Sequence, residues 1–140
     1  MSGVQVAEAL GRTGIATAVA FEGIRFGGNL VSRVTLIGGD AVNTVDLVES
    51  RSPGYAQRAW ERSMEGELRG TSLRVLAPED FVLFKVASTR ERDLEDAATV
   101  IRNLGTQLDH ALVGAEAAAL EDELPDAEIA ARWTRLQAMP

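Results

Sequence analysis

At 140 residues the chain is long enough to bury one hydrophobic core, and it reads as a single domain over 1–140. Apolar residues make up 46% and charged residues 25%, the balance of a folded domain, and no run approaches the roughly 20 apolar residues of a membrane span. The net charge of −7 argues against broad nucleic-acid binding, which needs a basic face; the absence of cysteine excludes disulfides, iron–sulfur clusters and thiolate zinc.

The opening Met1-Ser-Gly-Val-Gln-Val lacks the basic start and apolar core of a signal peptide, so a cytoplasmic location is expected. Residues 4–10 read as a short helix, with Val6, Ala9 and Leu10 on one side and Gly11 as its stop. Residues 15–21, 24–26, 30–37 and 43–49 read as strands, the second of them short. Gly27-Gly28 and Gly38-Gly39-Asp40 are the turn signals that favour antiparallel pairing. In the last strand Val45, Leu47 and Glu49 share one face, and Thr44, Asp46 and Val48 share the other.

A helix is expected from Pro53 to about Glu67, interrupted near Gly66, and then a short strand over 73–76. Pro78 suits the first turn of the next helix, where Glu79 and Asp80 complement the positive end of the dipole; this helix runs to about Ser88. Another starts near Arg92, places Leu94, Ala97, Ala98, Ile101 and Leu104 at helical spacing, and closes at Gly105. Helices over about 107–120 and 126–138 follow, separated by Leu124-Pro125, with Ile129, Trp133 and Leu136 as the inward stripe of the last. The fold class is α+β: a small, mainly antiparallel sheet followed by a helical C-terminal half.

Lys85 is the only lysine among 14 basic residues, and it sits inside the most apolar segment, Phe81-Val-Leu-Phe-Lys-Val-Ala87. An ammonium buried there is costly unless an anion meets it, although a lysine stem can also lie along apolar surface and extend its charge to water. Asp93 flanks the apolar stripe of the following helix and is the expected partner; Asp96 is expected to point more nearly away, and Glu95 to be solvated. Asp46 stands in a strand, where aspartate is disfavoured. It is either a solvated residue on an open sheet face or a carboxylate projected towards a magnesium ion. His110 has no second ligand at metal spacing and is expected to be structural. The arginines at 51, 58, 62, 69 and 74 are dispersed among acids and read as a solvated face.

Val45-Asp46-Leu47, a helix-rich interval, then Leu76-Ala-Pro-Glu-Asp-Phe-Val-Leu-Phe-Lys85 and Arg90-Glu-Arg-Asp93-Leu-Glu-Asp96 resemble the polymerase-β-like nucleotidyltransferase superfamily, most closely its minimal, antitoxin-associated and abortive-infection types. The resemblance covers roughly residues 15–104. It implies transfer of a nucleoside monophosphate from a nucleoside triphosphate to a hydroxyl acceptor, with magnesium ions held by three carboxylates. Asp46 matches the third of those carboxylates. Lys85 matches the family's helix lysine, near the nucleotide phosphates or the carboxylate cluster, Arg90 of the same block is implied as a nucleotide contact, and Asp93 matches the acid that holds the lysine. The family's Gly-Gly or Gly-Ser turn with its Asp-x-Asp strand has no counterpart: the chain contains no Asp-x-Asp, and residues 4–10 match the helix that follows that strand. The expectation is therefore a nucleotidyltransferase-like module, silent alone. Alternatives are half of a split enzyme completed by a partner chain at an exposed sheet edge, a non-enzymatic toxin–antitoxin-type binding module, and an enzyme of another class using Asp46, Lys85 and Asp93. Apolar surface left by the missing portion would promote self-association.

Overall fold

The computed structural model of the chain describes residues 2–140. Ser2 and Gln5 form a reciprocal capping box that starts helix α1 (Gly3–Gly11). Three strands follow as an antiparallel meander in the order β1 (Ala16–Phe26), β2 (Asn29–Gly38) and β3 (Ala41–Ser50). Each hairpin has a two-residue loop, and Gly27 and Gly39 supply the positive φ angles of 60° and 58° that such loops require. The two segments expected at residues 15–21 and 24–26 form one strand: Gly23 is absorbed by register shifts between Val19 and Phe21 and between Phe21 and Ile24, and no turn intervenes. Helix α1 covers the sheet face that carries Val19, Ser32 and Val34, against which Gly3 packs closely: a Cβ there would lie 3.3 Å from Ser32 Cβ. By strand alternation Asn29, Val31, Arg33, Asp46 and Val48 share the opposite face.

Ser52 caps helix α2 (Pro53–Arg62), with proline in its first turn. The expected continuation to Glu67 does not occur. Strands β4 (Met64–Leu68) and β5 (Thr71–Val75) instead form a separate hairpin, turned by Arg69 and Gly70 at φ 51° and 78°. Gly66 is needed there because a Cβ at that position would lie 2.7 Å from Val75 Cγ2.

The C-terminal half consists of α3 (Pro78–Ala87), α4 (Glu91–Leu104), α5 (His110–Glu123) and α6 (Ile129–Gln137). The last two begin later than the spacing predicts. Asp109 caps α5 by accepting from the Leu112 N–H, and a short 3₁₀ turn at Pro125–Ala127 precedes α6. Leu83, Leu94, Leu120 and Ile129 are fully buried where these helices meet. Each contributes about 1.5–3 kcal/mol of apolar burial. Ile129, Trp133 and Leu136 form the inward stripe of α6, as the spacing predicts. No helix among the described residues is long and apolar enough to cross a membrane.

Three of the arginines expected on a solvated face, Arg51, Arg58 and Arg62, are drawn inward. Arg62 donates to both oxygens of Asp80, at 2.9 and 2.7 Å, and Asp80 is fully buried and also accepts from the Tyr55 hydroxyl at 3.0 Å. Arg62 Nη1 and Arg58 both reach Glu116, at 2.8 Å and 2.7 Å. Arg58 and Arg62 hold the Glu116 carboxyl below its ordinary pKa against its burial, and burial beside Asp80 raises that of the Tyr55 hydroxyl. The network fastens α2 to α3 and α5. Arg51 meets Asp126 and the Gly27 carbonyl, and Arg74 donates to the Trp60 and Ser63 carbonyls.

The β1–β2 turn seats the sheet on the helices. The Gly28 N–H donates to the Ala87 carbonyl at 2.8 Å, and Asn29 Nδ2 donates to the Phe84 carbonyl at 2.8 Å. A Cβ on Gly27 would lie 2.5 Å from the Ala87 oxygen. Breaking the buried Asp80 pair should dominate the stability of this half. Urea unfolding of Asp80→Ala is expected to show a loss of about 3–5 kcal/mol, whereas Glu61→Ala, on the exposed side of α2, should stay within about 0.5 kcal/mol of the parent.

Candidate functional site

Pro78 and the apolar spacing of α3 place Lys85 in its last turn, directed towards α4. Its Nζ lies 2.8 Å from Asp93 Oδ1 and 2.8 Å from Asp96 Oδ2, and 5.5 Å from the centre of the Phe81 ring. Asp93 is therefore the partner that the sequence predicts. Asp96 is not turned away: three residues on from Asp93, it stands on the same side of α4, and the lysine bridges the two.

Asp93 is buried. It accepts from Ser88 Oγ at 2.5 Å and from Arg90 Nε at 2.7 Å, and the Arg90 guanidinium lies 5.2 Å above the Phe26 ring. Burial opposes ionisation of Asp93, but hydrogen bonds from Lys85, Ser88 and Arg90 prevail and hold its carboxyl below the ordinary aspartate value. Lys85 follows the same logic: burial works against its charge, and the hydrogen bonds to Asp93 and Asp96 raise its pKa nonetheless.

Asp46 lies across the groove, in register with Arg33 on the neighbouring strand. Arg33 Nε and Nη2 donate to its two oxygens at 2.7 and 2.9 Å, a bidentate pair that holds the carboxyl below its usual pKa. The Arg33 guanidinium also lies 5.4 Å from the Phe21 ring centre. Arg33 did not figure among the residues singled out from the sequence. Its signal was the two-residue turn at Gly39–Asp40, which fixes the β2–β3 register and sets Arg33 opposite Asp46.

These side chains share one depression. Arg33, Asp46, Lys85, Arg90, Arg92, Asp93 and Asp96 line a polar hollow of about 310 Å³ between the sheet and the α3–α4 corner. Lys85, Arg90 and Asp93 also border an adjoining cavity of about 350 Å³, walled by Asn29, Val31, Val48, Leu76, Phe81 and Phe84. The structure brings Asp46, Lys85, Arg90 and Asp93 together in one groove, whose apolar half the sequence reading missed. Four cations face three carboxylates in the polar half. Arg33, Lys85 and Arg90 are each paired, and Arg92, exposed at the rim, has no ion-pair partner among the described residues. The hollow is locally cationic in a chain of net charge −7.

The resemblance implies magnesium, but the carboxylates are not arranged to hold it. Both Asp46 oxygens are engaged by Arg33, and both Asp93 oxygens by Lys85, Ser88 and Arg90. Among the described residues no group of three or more His, Asp or Glu side chains could hold a metal ion. Glu95 is exposed as expected. His110, in the first turn of α5, places Nε2 3.3 Å from the Gly105 carbonyl and its ring 6.5 Å from that of Trp133. The chain has no significant match to any known protein family, to any curated protein or to any solved structure.

The pKa directions set the pH response of the site. Asp46 and Asp93 are depressed, so their stabilisation is complete above the unfolded carboxyl value, about 3.9, and is lost as pH falls through their folded values. Lys85 is raised, so its contribution is complete below about 10.4 and is lost as pH rises through its folded value. In urea titrations between pH 2 and 7, Asp93→Asn should cost roughly 3 kcal/mol at neutral pH and flatten the acid limb; an acid limb of unchanged steepness would remove Asp93 from this account.

Proposed function

We propose that the chain is a nucleotidyltransferase-like domain that binds a nucleoside triphosphate in the groove between its sheet and the α3–α4 corner, and that it does not transfer nucleotides unaided. The observation that carries this reading is the unpaired Arg92 in a hollow that also holds Arg33, Lys85 and Arg90, joined directly to an aromatic-walled cavity. Guanidinium groups suit phosphate oxygens because their planar forks bind in two-point geometry. Arg92 is free to meet the anion, and Arg33 and Arg90 flank it. Lys85 is held in place by Asp93 and Asp96 as a fixed positive charge. The heterocycle then occupies the apolar half.

Catalytic silence rests on the chain's own acids. It contains no Asp-x-Asp, and Asp46 is committed to Arg33. Isothermal titration with ATP, GTP, CTP and UTP, with and without magnesium, is expected to give saturable binding that does not require the metal. Arg92→Ala should weaken it about ten-fold, the loss expected for one charge-assisted contact. No labelled nucleotide should appear on protein or RNA acceptors incubated with this chain alone; clear transfer would overturn the silent reading, and absence of binding would overturn the nucleotide reading.

A second reading, half of a split enzyme, is supported by the outer edge of the sheet. Among the described residues β3 pairs only with β2, and Val42, Val45 and Val48 along it are exposed. Such an edge is a template for an added strand. A partner chain that supplies that strand should protect the β3 amides from hydrogen exchange and confer transfer activity on the complex.

A further inference from the structure

The two edges of the sheet are built differently. β1 carries register shifts on both sides of Phe21 and a glycine at positive φ, features that twist an edge away from further pairing. β3 has neither: its 10 residues pair with β2 without interruption and include no glycine, proline or lysine. Val42, Val45 and Val48 along it are 67%, 39% and 41% exposed. The hairpin decides which amides of β3 are open. Gly38 and Ala41 flank a two-residue loop, where the turn makes them a hydrogen-bonded pair, and such pairs alternate along an antiparallel ladder. The Arg51 N–H, donating to the Gly28 carbonyl at 2.9 Å, keeps the same alternation at the far end. Asn43, Val45 and Leu47 therefore turn their backbone groups to β2, and Val42, Thr44, Asp46 and Val48 turn theirs outward.

That outward set is symmetric about Val45. A two-fold axis perpendicular to the sheet sets a second copy antiparallel and keeps each face on its own side, so residues pair only with residues of the same face. Centred on Val45, the axis pairs Val42 with Val48, Thr44 with Asp46, and Val45 with itself. Every outward residue then falls into a hydrogen-bonded pair, and the three exposed valines meet valines. Centred one residue later, Asp46 opposes Asp46; centred one residue earlier, it opposes Val42. Both are unfavourable, the first by repulsion and the second by desolvation. In the Val45 register each Asp46 faces a threonine and arrives already neutralised by its own Arg33. Apolar surface continues beyond the strand. Val48 borders a hollow of about 450 Å³ together with Trp60, Val75 and Leu76, all exposed, and this register sets the second copy's Val42 beside it. Ile37, the exposed cross-strand neighbour of Val42, follows it there.

We infer that the β3 edge is a homodimer interface, in which two copies pair β3 with β3 antiparallel about Val45 and join their three-stranded sheets into one. The inference does not depend on the nucleotide reading. It uses the edge that a split-enzyme partner would need, so the two occupants exclude each other. Asp46 and Val48 line the groove, and the second copy's Thr44 and Val42 therefore extend its outer wall.

The chain has no cysteine, so single thiols introduced along β3 report the register. In the parent chain, analytical ultracentrifugation should show a concentration-dependent doubling of the 15.0 kDa mass. Val45→Cys, oxidised with copper phenanthroline, should form a disulfide dimer, because a non-hydrogen-bonded pair sets its Cα atoms about 4.5 Å apart. Val42→Cys and Val48→Cys should each fail to cross-link alone, their own copies lying about 20 Å away, and should cross-link when mixed. Val45→Lys, which sets two ammonium groups opposite each other, should weaken the dimer about ten-fold or more and leave the circular dichroism of the monomer unchanged. Should Val45→Lys fail to fold, the cysteine series decides the matter. A parent chain that stays monomeric into the millimolar range overturns the interface and leaves β3 open to the strand of another chain. A dimer that Val45→Lys does not weaken, or thiols at 42, 45 and 48 that each cross-link equally alone, puts self-association elsewhere and overturns it as well.

Discussion

A tight glycine turn resting on a helix end is the constraint from which the rest of the molecule follows. The β1–β2 loop meets the last turn of α3 so closely that Gly27 has no room for a side chain, and the Gly28 N–H donates to the Ala87 carbonyl. Carbonyls at a helix C-terminus lack partners within the helix, and the turn and Asn29 supply donors to two of them. This contact fixes how far the sheet stands from the helices. The groove is the space left along the rest of that boundary, where Val31, Arg33, Asp46 and Val48 face Phe81, Phe84 and Lys85 without touching closely enough to fill it.

Charge is distributed over the molecule in two arrangements with different consequences. Around Asp80 and Glu116, arginines from α2 fully satisfy buried carboxylates, and the result is a rigid junction of α2, α3 and α5. Around Asp93, the pairing is as close but lies at the wall of an open hollow, and one more cation than carboxylate is present. The first arrangement has no spare capacity to bind anything. The second leaves Arg92 without an ion-pair partner among the described residues, and its paired members are already fixed in orientation, which would lower the ordering cost of the anion proposed for it. The two are mechanically linked, because Tyr55 contacts both Asp80 and the Phe84 ring that walls the cavity.

The helical half and the Lys85–Asp93 pair were legible in the sequence for local reasons. Pro78 starts α3, Gly105 closes α4, and the apolar residues between recur at helical spacing, so the face of each helix is determined within a few residues. The glycine turns at 27–28 and 38–40 were legible on the same terms. Met64–Leu68 was not, since two glutamates and a central glycine do not distinguish a helix end from a strand; β5 decides it, by packing Val75 against Gly66. Asp96 was misjudged because helical angle alone ignores the reach of the lysine stem, which spans the interval between two acids one turn apart.

What the sequence by itself determined is therefore everything governed by short-range periodicity and turn chemistry: the α+β class, the six helices in outline, the two sheet hairpins, and a lone lysine with an acid placed to meet it. Tertiary structure alone decided the rest. Arg58 and Glu116 are 58 positions apart, Arg62 and Asp80 are 18 apart, and Asn29 and the Phe84 carbonyl are 55 apart. Pairings over such separations leave no periodic trace in the chain, because each depends on the angle at which whole elements pack. The groove belongs to the same class: its polar and apolar halves come from strands and helices that meet only because the Gly27–Gly28 turn has no side chain to hold them apart.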